Sequence, residues 1–278
     1  MRSDHGTRGS FGLVAILALA CSLQNPSYSS TSSGSSTSGS STSASSTTTT
    51  EGEACPSDRC NYLDPSPIAC YEFEDPNELT DDTECGYNGT ILSVSAVSGA
   101  HAQGIRVTDN SEIIADGKWP DFPSFTVSSW IALRDGAADS EDFTLFIKGT
   151  QFKLSLQHPV PPDALSWRLF CSIGKNAVTS DSPPLNIDGK WHLVGCGCAK
   201  TDTEGSCAEI FAFTDKSRYL GNEFLKNPLM LNSDLEIAPD FDGCIDSVQI
   251  WDRALTGDET LALYNAGREE TNMDCKGD

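Results

Sequence analysis

The stretch Phe125-Thr-Val-Ser-Ser-Trp-Ile-Ala-Leu133 sets apolar side chains at 125, 127, 131 and 133, with Trp130 in the opposite phase. Successive side chains of an extended strand point to opposite faces, so steps of two gather one buried face. The same step recurs downstream in Phe152/Leu154/Leu156 and Trp167/Leu169/Cys171/Ile173. It recurs again in Cys207/Glu209/Phe211/Phe213 and in Cys244/Val248/Ile250. Gly, Pro, Asn and Asp break these runs, as turns between short strands require. Many half-buried strands with little helical period between them predict an all-β, two-sheet antiparallel sandwich rather than an α/β fold. One short helix is expected near the C-terminus. Thr256-Gly-Asp-Glu259 is a capping box, Leu261 and Tyr264 lie three apart, and Gly267 supplies the stop.

Four motifs then stand in order along the chain. They are Ala69-Cys-Tyr-Glu-Phe-Glu-Asp75 with Asp82 and Tyr87-Asn-Gly-Thr90, Phe125-Thr-Val-Ser-Ser-Trp130, Asp188-Gly-Lys-Trp-His192, and Phe241-Asp-Gly-Cys-Ile-Asp246 with Trp251-Asp-Arg-Ala-Leu255 and Leu261-Ala-Leu-Tyr264. Together they resemble laminin-G-like domains of the concanavalin A-like lectin/glucanase superfamily. The resemblance covers residues 68–267 and implies a jelly roll of two curved antiparallel sheets with the first and last strands adjacent. The Asp82 turn departs from the family's Ser-Gly-Asn-Gly pattern. His192, following Trp191 at a strand start, is implied to be structural.

The cysteines are additional to that pattern. Cys21 aside, ten remain: Cys55, Cys60, Cys70, Cys85, Cys171, Cys196, Cys198, Cys207, Cys244 and Cys275. Cys196 and Cys198 share one strand face, and Cys198 and Cys207 flank a short loop that a hairpin bridge would close. Cys171 with Cys196 would then link neighbouring strands. If the layout implied by the resemblance holds, Cys70 lies near Cys244, Cys275 pins the tail to Cys85, and Cys55 with Cys60 closes a small loop. Sequence does not choose among the pairings of ten cysteines. Thiolate ligation by Cys196, Cys198 and Cys207 is the rival reading, but their spacing is unlike a zinc knuckle, and an exported chain favours disulfides.

Export is read from the first residues. Phe11–Ala20 is an apolar run, broken only by Gly12, after a segment carrying Arg2 and Arg8. That is the length of a signal-peptide core and too short to span a bilayer. It ends in Ala18-Leu-Ala-Cys21, which resembles a bacterial lipobox with displaced leucines. Acylation of Cys21 gives the odd cysteine a use, and Ser22 suggests outer-membrane or cell-surface placement in a Gram-negative bacterium; plain secretion is the alternative. From Ser29 to Thr50 every residue is Ser or Thr except Gly34, Gly39 and Ala44, a composition that cannot bury enough surface to offset ordering. The expected organisation is therefore a signal peptide at 1–21, a Ser/Thr-rich tether at 22–54, a Cys-rich lead-in at 55–67 and the laminin-G-like domain at 68–278.

The 278 residues carry 18 Lys+Arg against 40 Asp+Glu, a formal net charge of −22. Such a chain lacks the basic footprint that nucleic acid or an anionic lipid surface requires, so its membrane contact is expected through the N-terminal lipid alone. It would also disfavour anionic glycans over neutral ones.

Catalysis is not expected. The glucanase relatives carry Glu-x-Asp-x-x-Glu on one strand, the spacing that retaining hydrolysis needs. Glu72-Phe-Glu74 is the nearest approach, with Asn77 where the second Glu would stand, and no Gly-x-Ser-x-Gly occurs. Asp246, with Asp242 on the same face, falls in a core phase and must be satisfied by backbone N–H groups or by a cation such as calcium. Trp130 and the loop residue Trp119 are the candidate glycan platforms. The expected function is non-catalytic binding of a glycan or a surface protein by a monomer. A purely structural or adhesive envelope component is the alternative, and a glycan-cleaving enzyme a remoter one. Replacing Cys21 by Ala is expected to move the protein from the membrane to the soluble fraction; continued membrane partition on fractionation would overturn the lipid anchor.

Overall fold

A computed structural model describes residues 60, 63, 67–83, 85–115, 122–134, 142–150, 152–157, 166–174, 176–179, 185–186, 189–200, 207–221, 233–267 and 275. Cys21, the Ser/Thr tract, Cys55 and Trp119 lie outside them. In chain order the first strands are β1 (Ala69–Tyr71), β2 (Gly89–Leu92), β3 (Ser95–Ser98), β4 (Gln103–Val107), β5 (Glu112–Ala115), β6 (Phe125–Leu133), β7 (Asp142–Lys148) and β8 (Phe152–Gln157). They are followed by β9 (Ser166–Ile173), β10 (Asn176–Thr179), β11 (Leu185–Asn186), β12 (His192–Lys200), β13 (Cys207–Thr214), β14 (Ser217–Gly221), β15 (Leu235–Ile237), β16 (Gly243–Trp251) and the helix α1 (Gly257–Gly267).

All pairings are antiparallel and fall into two sheets. The first runs β14-β13-β12-β6-β16-β4-β3, with β1 also on β16; the second runs β10-β9-β8-β7-β15-β5-β2, with β11 also on β9. The first and last strands are neighbours, with Ala69 opposite Ile250 and Tyr71 opposite Val248. This is the all-β, two-sheet jelly-roll sandwich with one short C-terminal helix. Between the sheets lies a core to which β6 gives Phe125, Val127, Ile131 and Leu133, β8 gives Phe152, Leu154 and Leu156, and β9 gives Trp167, Leu169, Cys171 and Ile173. These are the residues that the period of two selects.

Three strands break that period, β7 among them with a bulge between Thr144 and Phe146; the other two change the reading of the sequence. β16 carries a bulge between Asp246 and Gln249, with Ser247 at φ 49°. A bulge inserts one residue and so exchanges the faces on either side of it. Val248 and Ile250 accordingly enter the core while Cys244 faces the opposite way, and Asp246 does not share their phase. β12 and β13 slip likewise between Ala199 and Lys200. Cys207, Ile210 and Ala212 therefore line the core, whereas Phe211 and Phe213 cover the outer face of the first sheet.

β12 is where the two faces differ most. Val194, Cys196 and Cys198 point into the core, and Gly195 and Gly197 alternate with them on the outer face. The rings of Phe213 and Phe211, directly opposite on β13, lie over those glycines; a Cβ would stand 2.1 Å from Phe213 at Gly195 and 2.4 Å from Phe211 at Gly197.

Disulfides join Cys171–Cys196, Cys198–Cys207, Cys60–Cys70 and Cys244–Cys275, and Cys85 is also disulfide-bonded. Cys171 and Cys196 lie on different sheets, not on neighbouring strands, so their bridge crosses the core. Cys70 pairs with Cys60 rather than Cys244. It sits opposite Gln249, and five residues of strand, roughly 15 Å, separate that position from Cys244, well beyond the reach of a disulfide. Cys244 takes Cys275, which rules out Cys85–Cys275, and the Cys60–Cys70 bridge rules out Cys55–Cys60. By chain entropy a bridge closing a span of 25 residues contributes about 3 kcal/mol.

Gly197→Ala is expected to cost about 2 kcal/mol by overpacking and to lower the melting temperature by roughly 4–8 °C. Gly257→Ala, whose Cβ would meet nothing within 4 Å, should leave it unchanged. Equal melting of the two variants would refute the ring-on-glycine contact as a constraint.

Candidate functional site

The outer face of the first sheet is sealed. Trp130 faces away from the core, as its phase indicates, yet it is only 2% exposed. Tyr264 of α1 stacks on it at 5.9 Å, and a Cβ on Gly267 would lie 2.4 Å from its ring. Trp191, Leu193, Phe211, Phe213, Trp251 and Leu263 complete this second apolar cluster. The helix that covers it begins at the expected capping box: Thr256 Oγ1 accepts the Glu259 N–H at 3.2 Å, and Glu259 Oε2 accepts the Thr256 N–H at 2.7 Å. Its inward residues are Thr260, Leu263 and Gly267, while Leu261 is exposed. Trp130 is thus a packing residue and offers no platform to a ligand.

Asp246 is fully buried in the same layer. Its Oδ2 accepts the His101 N–H at 2.7 Å, while Oδ1 has no hydrogen-bond partner. Gly99 makes room for that carboxylate, since a Cβ there would stand 2.5 Å from Oδ2. Burial pushes the Asp246 carboxyl well above the usual range, backbone N–H groups of His101, Ser247 and Ala100 act against this, and the nearby Glu72 adds to it. Asp242 stands at the start of β16, 3.8 Å from Arg134. Four residues of extended chain place the two aspartates roughly 13 Å apart, too far to share a calcium ion whose oxygens lie at about 2.4 Å. The pair does not form the shared site that the sequence suggests; Asp246 instead fastens the β3–β4 turn to β16.

Other chemistry-bearing residues have structural partners. Glu72 accepts the Ser247 hydroxyl at 3.2 Å inside the fold, whereas Glu74 is exposed. Among the described residues, the one cluster of three metal-ligating side chains is Cys60, Cys70 and Glu72, and its two sulfurs are joined in a disulfide. His192 Nδ1 lies 2.9 Å from Asp215 Oδ2, and Asp215 Oδ1 accepts the Leu193 N–H, which closes the turn into β14. At the turn before β2 Asp81 gathers the chain, accepting the N–H groups of Cys70, Thr83 and Tyr87, and Asp82 accepts that of Glu72. A small apolar pocket at one end of the core is lined by Phe122, Phe125, Val127, Phe152, Leu235 and the stem of Lys148. The Lys148 amine donates to the Ser233 carbonyl, and burial lowers its pKa to about 8.

The outer face of the second sheet is built differently. On β9 the residues between the core positions are Arg168, Phe170 and Ser172; on β8 they are Lys153, Ser155 and Gln157. Cross-strand pairing sets Arg168 opposite Gln157, Phe170 opposite Ser155 and Ser172 opposite Lys153, and Thr144 of β7 follows Ser155 on the next strand. Arg168 is exposed, and Phe170, Ser172, Lys153 and Gln157 are half-buried. Ser155 and Thr144 lie low between them, and their hydroxyls make no hydrogen bond among the described residues. An aromatic ring therefore stands beside two buried hydroxyl side chains that make no hydrogen bond among the described residues, a patch that the same period of two encodes.

No protein-family model and no curated protein matches the sequence. Solved structures do match in fold. Domain 4 of AbnA, a GH43 extracellular arabinanase from Geobacillus stearothermophilus, solved in complex with arabinotriose, superposes with a TM-score of 0.53 at 19% identity. That match covers 71% of this chain and 98% of that domain. The binding domain of Paraclostridial Mosquitocidal Protein 1 gives 0.55 at 16% identity, over 72% of this chain and 52% of that one. A mutant of Trypanosoma rangeli sialidase with trans-sialidase activity gives 0.52 at 12%, over 74% of this chain and 33% of that one. The chain thus spans about half of the mosquitocidal binding domain and a third of the sialidase. At these identities the matches establish the β-sandwich fold.

The raised Asp246 pKa fixes the sign of a pH effect. Below about pH 4 the residue is protonated in both the folded and unfolded states and contributes nothing. As pH rises above that, only the unfolded state loses the proton, so folding stability falls until the folded pKa is passed. Asp246→Asn removes this dependence. Its melting temperature relative to the parent should therefore climb between pH 4 and pH 7; a constant difference across that range would show that Asp246 is ionised in the fold.

Proposed function

We propose that the chain is a lipid-anchored, non-catalytic surface protein whose laminin-G-like sandwich binds a glycan on the outer face of its second sheet. The observation that carries this reading is the pairing of Phe170 with Ser155 and Thr144, an aromatic ring next to hydroxyls without protein partners. Sugar rings offer apolar C–H faces to an aromatic ring and hydroxyls to polar neighbours, and a shallow patch of this kind meets both needs. The outer face of the first sheet is instead occupied by the apolar cluster around Trp130. A match to an arabinanase domain solved with arabinotriose supports the same reading by fold alone.

The lipobox-like Ala18-Leu-Ala-Cys21 and the Ser/Thr tract support placement at the end of a tether on an outer membrane. Among the described residues, no constellation of nucleophile, base and cleft accompanies the patch, which favours binding without turnover. Binding of the full-length chain to a glycan array is the test. Phe170→Ala should weaken a hit at least about tenfold, or ~1.4 kcal/mol, without lowering the melting temperature, whereas Trp130→Ala should lower the melting temperature. Retention of glycan binding by Phe170→Ala would move the site elsewhere, and the absence of any glycan hit would leave a protein partner as the reading to pursue.

A further inference from the structure

The charges on that face are not distributed as the composition suggests. With 18 basic residues against 40 acidic ones, a cation has many carboxylates within reach, and Arg134, Arg218 and Arg253 each have one. Arg168 and Lys153 do not: neither makes an ion pair or hydrogen bond among the described residues. Both stand on the outer face of β8–β9, at diagonal corners of a grid whose middle row is Phe170 and Ser155. Four residues along the strands and one strand across put their Cα atoms roughly 14 Å apart. Of the exposed acids of this sheet, Glu236 and Glu112 lie on β15 and β5, while Asp142 of β7 stands beside Gln157, two strands from Arg168 in the same row. The cations thus occupy β8–β9, and the acids begin at β7.

We infer that the glycan bound on this face is anionic, carrying carboxylate or sulfate groups, and lies along β8–β9 with its charged groups at Arg168 and Lys153. The inference rests on the glycan reading of the same patch and names its ligand class. A guanidinium donates two parallel N–H bonds to a carboxylate or sulfate, and an ammonium meets the same groups as a point charge. Phe170 and Ser155 sit between the two cations, where an intervening sugar ring would rest. Running the chain across the sheet would carry its charge onto Asp142, Glu236 and Glu112, so those acids set the direction. Global charge opposes capture only at long range, because ions screen it beyond about 8 Å at physiological salt. Contacts at two unpaired cations survive that screening in part, and a local patch can recruit an anion to a protein of net negative charge.

Retention of the full-length chain on immobilised polygalacturonate, dextran sulfate and dextran separates the possibilities. The expected result is binding to one or both polyanions and not to dextran, weakening as NaCl rises from 0.15 M, with Arg168→Ala and Lys153→Ala each losing about tenfold at an unchanged melting temperature. Preference between the two polyanions identifies carboxylate or sulfate. Binding to neither polyanion, or polyanion binding that both variants retain in full, overturns the inference. If dextran or another neutral glycan then still binds through Phe170, the glycan reading stands without the charge assignment; if no polysaccharide binds, both fall.

Discussion

Much of this architecture depends on one strand having unlike faces. β12 turns Cys196 and Cys198 toward the opposite sheet and Gly195 and Gly197 away from it. On the core side Cys171–Cys196 ties the sheets together through their interior, fixing which strands of the two layers lie opposite each other. On the other side the missing side chains let Phe211 and Phe213 lie flat against the backbone. With those rings laid down, a helix can close over Trp130 and Trp251 and complete a second apolar layer. A larger residue at either glycine would lift a ring and with it the surface on which that layer rests.

The two-sheet class was legible because long core strands keep a strict period of two. Trp167, Leu169, Cys171 and Ile173 show it without interruption, and all four are in the core. Legibility ended at the bulges. Nothing in Cys244-Ile-Asp-Ser-Val-Gln-Ile250 announces that Ser247 adopts a left-handed conformation, so parity counted straight through placed Asp246 with Val248. One inserted residue was enough to reverse that conclusion.

Trp130 illustrates a different limit. Its opposite phase was correctly visible in the strand, but phase tells which way a side chain points, not what lies above it. The cover comes from Tyr264 and Gly267, more than a hundred residues later, and the capping box that starts their helix does not say where the helix docks. Arg168, Phe170 and Ser172 carried an equally clear alternation. Which of the two outer faces stays open is decided by tertiary contacts and is invisible in either strand alone.

The sealed and open faces solve the same physical problem in opposite ways. A sandwich has one inner layer and two outer ones, and apolar outer positions must be covered while polar ones need not be. The first sheet presents tryptophans and phenylalanines outward, and the helix and the Cys244–Cys275 bridge accordingly lie on that side. The second presents hydroxyls, an amide, an arginine and a lysine around one phenylalanine, a surface that is stable in water and therefore available to a partner. Covering one face for stability leaves the other to the proposed recognition. The two cations there, which make no ion pair among the described residues, would give that face a preference of its own.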